Sequence, residues 1–458
     1  MEEMIRIERL GYGSAGIGHS AQGKTVFVEG SAPGELALVA IEKDLKNYSL
    51  GRLLEVVEAS PARRKAPCPA YRRCGGCPWQ HLDYPAQLAG KRDALVSNLV
   101  HIAGFSQEAA EAAVAPCRPS KYEWGYRNKL ELSACTNNDG AFVLGFPDKE
   151  GSQEAKGSAA AQGREGTAGN EAQGIAAIDS CMLVHKPIQS SPKALRGAIR
   201  YLCGKQDLGI FRVSVRSSLR SKDIEIALWT VPGAFPRKAA AQVLQGALDA
   251  TSVVRVIAEP GAARRVKGVE ALSGKGYWEE RLFETTFQTS APSFFQVNTA
   301  GAETLVEEVL AGLGLESGMR VADLYAGGGT FALALAGLGS TVLAVESAAT
   351  SVRDLRRNVK RNNARVEVIG GDASRCLPEL LPLDALVLDP PRSGLSPALV
   401  ESIVSAGIGR LAYVSCDPAT WARDASRLIA GGYELVRALP VDLFPQSYHI
   451  ETVSIFQK

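Results

Sequence analysis

The sequence predicts a multidomain α/β protein with a small N-terminal OB-like β-barrel, a cysteine-bearing central α+β region and a C-terminal Rossmann-like, doubly wound sheet. Three observations carry this reading. Strand-like and helix-like runs alternate from about residue 283 to the end, short β-rich runs separated by glycines fill the first 60 residues, and three of the nine cysteines crowd between positions 68 and 77. At roughly 100 to 200 residues per domain, a chain of 458 residues matches two to four such units.

Charge and hydropathy narrow the function classes. Lys plus Arg minus Asp plus Glu is 51 − 49 = +2, so nucleic-acid binding must rest on local clusters and not on a global basic field. The apolar runs are broken well short of the ~20 residues that a membrane span needs. The start, MEEMIRIERL, has no uninterrupted apolar core of a secretory signal. We therefore expect a cytoplasmic monomer without membrane contact. In such a compartment clustered cysteines point to metal binding or catalysis and not to disulfides.

Taken in order, Thr25 to Val28 and Leu36 to Ile41 are β-rich runs between glycine turns, giving a barrel over residues 1–60. The central region, residues 61–282, opens on Pro61 to Trp79. That stretch carries Arg63, Arg64, Lys65, Arg72 and Arg73 with no acidic residue, and these cations are candidates to neutralise phosphates, with Tyr71 and Trp79 as stacking faces. Leu82, Leu88, Leu95, Leu99 and Ile102 recur at near-helical spacing and predict an amphipathic helix between about Gln80 and Gly104. Strand-like runs follow at Lys129 to Ala134, Ala141 to Phe146, Phe211 to Val215 and Ile224 to Trp229. Residues 151–174 hold six Gly and six Ala but no Val, Ile, Leu, Met or aromatic residue. Such a segment cannot bury a core, and we expect a disordered insertion at a hairpin tip.

Cys68, Cys74 and Cys77 have C-x5-C-x2-C spacing, and Gly75 and Gly76 let the chain turn tightly between them. Three thiolates call for a fourth ligand, and spacing alone permits either tetrahedral zinc or an iron–sulfur centre. Cys117, Cys135, Cys203 and Cys376 show no ligand spacing and are assigned to packing.

The C-terminal unit, residues 283–458, opens with a strand at Arg320 to Leu324 that runs into Tyr325, Ala326, Gly327, Gly328, Gly329 and Thr330 and then an apolar helix. Glycines there let backbone approach a ligand, and the helix N-terminus offers free N–H groups. Glu346 ends the second strand, placed to accept ribose hydroxyls, and Asp372 follows the third. The glycine spacing fits both NAD and S-adenosylmethionine and does not choose between them. The fourth strand ends in Asp389, Pro390, Pro391 and Arg392. Enzymes that methylate exocyclic amines tend to place an aromatic where Arg392 stands, so methylation of a ring carbon is favoured. The fifth strand ends at Cys416, a thiol on the ligand edge. Uracil C5 is a weak nucleophile until a thiolate adds at C6, which makes C5 carbanion-like. A base must later remove the C5 proton, and Glu451 at the start of the last strand is the candidate, with His449 second.

FFQVN at Phe294 to Asn298, DLYAGGGTF, VES, DPPR, SCDP and HIETV occur in an order and spacing that resemble the RNA uracil-5-methyltransferase family. The resemblance spans essentially the whole chain, since residues 4–60 look like a TRAM domain, an OB-like RNA-binding barrel. It implies a class I methyltransferase domain, Cys416 as nucleophile and Glu451 as base, with Gln296, Tyr325, Gly327, Gly329, Glu346, Asp372 and Asp389 around S-adenosylmethionine. It also implies Cys181 as the fourth ligand of a [4Fe-4S] cluster with Cys68, Cys74 and Cys77. Arg127, in GYRNKLEL, matches a family Tyr-Arg pattern and is a candidate contact to the target RNA. Three positions depart from the common pattern: Ala326 where cysteine is frequent, Thr330 where asparagine is frequent, and Asp417 where asparagine often follows the nucleophile.

The expected activity is methylation of C5 of a specific uridine in RNA, with 23S rRNA as the partner that the barrel and cysteines together favour. The alternatives are a tRNA uracil-5-methyltransferase, an RNA cytosine-5-methyltransferase, and a non-catalytic RNA-binding assembly factor. The cytosine enzymes typically use a second cysteine, which the DPPR strand lacks, and intact Cys416 and Glu451 argue against a decayed fold.

Overall fold

The computed structural model describes residues 1–71, 73–136, 141–148, 174–204, 206–261 and 265–458. Five strands, β1 (Glu2–Leu10), β2 (Ala15–His19), β3 (Thr25–Glu29), β4 (Leu36–Asp44) and β5 (Tyr48–Glu58), close into a barrel in the order β1-β2-β3-β5-β4. Alternate residues point inward. Ile5, Ile7, Val26, Val28, Ala37 and Val39 fill the barrel, as the period of two in those runs predicts.

The helix expected after the cysteines begins later than the sequence suggested. Helix α1 (Tyr84–His101) starts at the cap Asp83, whose side chain accepts the Ala86 N–H, so Leu82 precedes it. The buried face of α1 includes Gln87 and Lys91 beside Ala94, Leu95 and Leu99. It is followed by a short α2 (Gln107–Ala113). A mixed seven-stranded sheet then forms from β6 (Lys129–Thr136), β7 (Phe142–Pro147), β8 (Ile175–Ala177), β9 (Ile210–Ser217), β10 (Ile224–Thr230), β11 (Ser252–Ala258) and β12 (Val266–Gly274). Helices α3 (Ser191–Cys203) and α4 (Arg237–Leu248) supply Leu195, Ile199, Ala240 and Leu244 to the core on this sheet. Strands β7 and β8 pair antiparallel, so the glycine- and alanine-rich segment joins two neighbouring strands. Residues 151–173 of that expected insertion, and Arg72, lie outside the described residues.

A hairpin of β13 (Trp278–Leu282) and β14 (Thr285–Thr289) leads to α5 (Thr299–Leu313). Trp278 and Phe287 pack with Phe295, Ala302 and Leu333, so the hairpin shares a core with the C-terminal unit. That unit contains β15 (Arg320–Leu324), α6 (Thr330–Gly337), β16 (Thr341–Glu346), α7 (Ala349–Arg361), β17 (Val366–Gly370), α8 (Ala373–Leu380), β18 (Ala385–Leu388), α9 (Pro397–Ala406), β19 (Arg410–Ser415), α10 (Pro418–Ala430), β20 (Glu434–Val441) and β21 (Glu451–Gln457). Its strands run β17-β16-β15-β18-β19-β21-β20, with β21 antiparallel to both neighbours. The chain reverses direction across the sheet between β15 and β18, and open α/β sheets bind ligands at the carboxyl ends of strands beside such a switch point. Among the described residues, no helix is long and apolar enough to cross a membrane.

Candidate active site

The switch point collects carboxylates. Asp323, the penultimate residue of β15, is fully buried, and neither side-chain oxygen has a hydrogen-bond partner in good geometry; the Ala332 N–H is the one backbone donor that favours its charge. Burial, then Asp389 and Glu346, hold its carboxyl well above the ordinary range. Glu346 accepts the Gly327 N–H at 2.9 Å and the Ala348 N–H at 2.6 Å, pinning the glycine turn to the second strand. Gly327 and Gly329 both have positive φ, and a Cβ on Gly329 would lie 2.6 Å from Leu355 Cδ1. Tyr325 adopts φ 68° at the turn, and its phenol is raised by burial and then by Asp372, which caps α8 by accepting the Ser374 N–H. Gln296 is buried, and its backbone carbonyl accepts from Asn128 Nδ2 at 2.9 Å.

This arrangement separates two ligands that glycine spacing could not. A pyrophosphate would face the acids Asp323, Glu346 and Asp389 and resist their ionisation further, whereas a sulfonium or an ammonium group would favour their charged forms and give Asp323 a partner. The residues fit a cationic cofactor such as S-adenosylmethionine. Asp323 was missed in the sequence reading; its signal was an acid at the end of a strand, four residues before the first turn glycine.

The second half of the site is set by strand register. Strands β19 and β21 are antiparallel, and Ser415 pairs with Thr452 at the end of their ladder. Cys416 and Glu451 therefore meet immediately beyond it, on one face. Glu451 is buried, and its carboxyl is held well above the usual range by burial and by Asp389, with Arg392 opposing. Burial, then Glu451, pushes the Cys416 thiol up to about 11, Arg392 pulling it down and Asp389 adding to the rise. Asp389 itself is raised by burial to about 7. It thus links the cofactor crevice to the nucleophile. His449, the second candidate base, is pushed down to about 4 by burial and by Arg392, so it is neutral near pH 7. Asp417 has a structural use: it caps α10, accepting the Ala419 and Thr420 N–H groups at 3.1 and 2.9 Å, where a negative charge is favourable.

Cys68, Cys74, Cys77 and Cys181 line one pocket with Ala70, Phe146 and other apolar neighbours. The Cys77 thiol is pushed up to about 12, by burial first and by Cys181 next. Thiol sulfurs are suited to zinc or iron, and Arg127 lies near enough to favour their charged forms. Among the described residues, no group of three or more His, Cys, Asp and Glu side chains is arranged tightly enough to hold a metal ion.

The expected phosphate-binding cations and stacking rings are corrected in part. Arg63 pairs with the buried Glu35 of the barrel and donates to Gly30 O at 2.8 Å, and Arg64 donates to Gln446 Oε1 at 2.6 Å. Arg73 pairs with Asp148. Trp79 is buried among Leu10, Ala32 and Leu82, so it offers no face to a base. These groups hold the barrel, the cysteine segment and the C-terminal loop together. On α7, Arg357 and Arg361 pair with Asp354 and Glu279, leaving Arg353, Arg356 and Lys360 exposed.

Comparison with known proteins identifies relatives of the whole chain. The TRAM domain model matches residues 2–54, and the model described as tRNA (Uracil-5-)-methyltransferase matches residues 238–370. An uncharacterized RNA methyltransferase of Gloeobacter violaceus is 32% identical over 471 residues, covering 99% of this chain and 96% of its own. Another from Chlorobaculum tepidum is 32% identical over 462 residues, covering 96% and 93%. In fold, the chain is similar to a Pyrococcus abyssi tRNA (uracil-54, C5)-methyltransferase solved with S-adenosyl-L-homocysteine, with TM-score 0.71, 24% identity and complete coverage of both chains.

Proposed function

Because the chain belongs to the RNA uracil-5-methyltransferase family and is an S-adenosylmethionine-dependent enzyme, we propose that it methylates C5 of one uridine in 23S rRNA through a covalent adduct at Cys416. The observation that carries this reading is the Ser415 and Thr452 pairing, which sets a thiol and a buried carboxyl face to face at the ligand edge of the sheet.

Bound S-adenosylmethionine supplies an electrophilic methyl group. Tyr325, the turn glycines, Glu346 and Asp372 would hold its nucleoside end, with Gln296 beside them, and Asp389 would serve both the cofactor and the uracil edge. Cys416 gives up its proton to solvent base and adds to C6, and the electron pair moves to C5 and O4. C5 then takes the methyl group as its bond to the sulfonium sulfur breaks, which would leave a neutral thioether. Glu451, as carboxylate, removes the remaining C5 proton, the pair returns to the ring, and the C6–S bond breaks to expel the Cys416 thiolate. A target base in folded RNA must leave its stack to reach this pocket. Arg127 is assigned to the target loop on the Tyr-Arg pattern, and it lies near enough to His449 to act on that ring.

Cys68, Cys74, Cys77 and Cys181 would hold a [4Fe-4S] cluster that ties residues about 100 positions apart in the chain into one RNA-facing unit. Purification without oxygen is expected to give a brown protein containing iron; colourless protein with stoichiometric zinc would reject the cluster. We place the enzyme in the cytoplasm as a monomer.

The deciding experiment uses transcripts of 23S rRNA and of tRNA carrying 5-fluorouridine, whose fluorine cannot be abstracted as a proton. A complex that survives denaturant should form with the rRNA and cofactor and vanish in Cys416→Ala. Trapping on tRNA alone would move the substrate to tRNA, a reading the family model's description favours. Trapping on neither would reject the covalent mechanism.

A further inference from the structure

One aromatic ring at the nucleophile comes from the other end of the chain. Tyr12 sits in the short turn between β1 and β2 of the barrel, a turn closed by the Gly11 N–H donating to Ala15 O at 3.0 Å. Its hydroxyl lies 3.5 Å from the carbonyl oxygen of Cys416. Its ring meets Tyr448 edge-on, with centroids 5.6 Å apart. Tyr448 continues onto His449 at 4.3 Å and His449 onto Phe444 at 6.0 Å, so an aromatic wall leads to the strand that bears Glu451.

The turn is seated firmly against its surroundings. The preceding residue, Leu10, packs with Ala32, Trp79 and Leu82, with Tyr448 against the same cluster. Helix α1 comes so close that a Cβ on Gly90 would lie 2.6 Å from Leu10 Cδ1. The phenol is held above its ordinary value by burial and by Asp417, with Arg392 opposing and Cys416 and Tyr448 adding to the rise. The charged groups that act on it are therefore those that surround the nucleophile. Yet 37% of Tyr12 remains exposed. At 3.5 Å the contact to the Cys416 carbonyl is at the outer limit for a hydrogen bond, so the hydroxyl does not account for the residue's placement. What the placement leaves available is part of an aromatic ring beside Cys416, and a flipped base needs an aromatic surface to replace the stacking it has lost.

We propose that Tyr12 of the barrel is a substrate-contacting residue of the catalytic pocket, its ring, backed by Tyr448, forming the surface on which the uracil delivered to Cys416 stacks. This deepens the methyltransferase reading above and rests on it. It makes the barrel one wall of the active site as well as an RNA-binding module, so that a base is aligned over the thiol only when barrel and sheet are docked.

The test compares fluorescently labelled oligouridylate with the same oligomer built from 5,6-dihydrouridine, which keeps the hydrogen-bonding edge but loses ring planarity and aromaticity. Affinities are measured by anisotropy with the full-length protein. Tyr12→Leu, which retains volume without a π-face, should weaken oligouridylate by roughly 5- to 150-fold, equivalent to ~1–3 kcal/mol for one stacked base. It should leave the dihydrouridine oligomer unaffected, and Tyr12→Phe should bind both as wild type does. Equal losses on both oligomers, no loss on either, failure of the Phe variant, or a wild type that binds neither oligomer would each overturn the stacking role. Because the readout is binding, it stands apart from turnover. This affinity pattern among the variants, with a wild type that yields no 5-methyluridine, would sink the methyltransfer reading and leave the Tyr12 assignment intact.

Discussion

Cys416 is under opposing demands, since a nucleophile must ionise while its surroundings resist charge. Burial and the neighbouring Glu451 push the thiol up to about 11, and Arg392 is the cation acting against them. A group raised in this way is neutral at neutral pH and loses its proton as the solution becomes alkaline. Adduct formation on 5-fluorouridine RNA should therefore quicken with rising pH. Arg392→Gln removes a charge of the kind that commonly lowers a neighbouring acid by ~1–3 units, so its rate profile should shift to higher pH by about that amount. An unchanged profile, measured by single-turnover trapping, would deny Arg392 this role. Glu451→Gln acts on a later step. It should still form the Cys416 adduct and transfer the methyl group but fail to release product, lowering turnover by the ~10²- to 10⁴-fold typical of a lost general base. Denaturing gels should then show methylated RNA bound to protein on ordinary uridine. Both members of this pair were legible as residue types at strand ends. The electrostatic role of Arg392 was not, because it follows from strands β18, β19 and β21 lying side by side.

The loop from Asp442 to Ile450 positions the wall beside Glu451, and helix α1 fixes that loop from beneath. Lys91 Nζ lies 2.5 Å from Asp442 Oδ1 and 3.1 Å from Phe444 O, with both charged side chains fully buried. Gln87 exchanges two hydrogen bonds with Gln446, at 2.8 and 3.1 Å, and Trp79 N–H donates to Gln446 O at 3.1 Å. Removing one partner of a buried ion pair leaves an uncompensated charge and costs ~3–5 kcal/mol. Lys91→Ala should lower the urea midpoint by that much stability, whereas Lys91→Met with Asp442→Leu, which removes both charges, should recover most of it. Equal loss in the single and double variants would show packing and not charge to be what matters. This element also shows where the sequence stopped being readable. The alternating strands and helices of the C-terminal unit and the barrel's period of two were visible, because each element there buries an apolar face with its own periodicity. Helix α1 buries Gln87 and Lys91 against a segment some 350 positions away, and no local pattern announces a polar face that is satisfied at that distance. The same holds for Arg63, Arg64 and Trp79, which read as RNA contacts by composition but are used to dock one unit on another.

Across the whole molecule, the site is an electrostatic burden that the rest of the fold carries. Asp323 and Glu451 are buried and Asp389 is half-buried, all with raised carboxyls, and Asp389 is pushed up to about 7. Between the unfolded value, near ~3.9 for Asp, and about 7, the folded chain keeps a proton at Asp389 that the unfolded chain has released. Stability from this group therefore falls as pH rises through that window, since unfolding there is favoured by proton loss. The two other carboxyls act in the same direction. The denaturation midpoint of the ligand-free protein should decline between pH 5 and pH 8, and Asp389→Asn, which cannot ionise, should flatten the decline while abolishing methylation. A stability gain that is larger at pH 8 than at pH 5 is the trade expected when a strained functional group is removed. A cationic cofactor should offset the same cost, because binding supplies the charge that the crevice lacks. The rise in melting temperature caused by S-adenosylmethionine should accordingly be larger at pH 8 than at pH 5.5, and should lose much of that pH dependence in Asp389→Asn. An equal rise at both pH values, measured by calorimetry in wild type, would show that the acids of the crevice are not what recognises the cofactor.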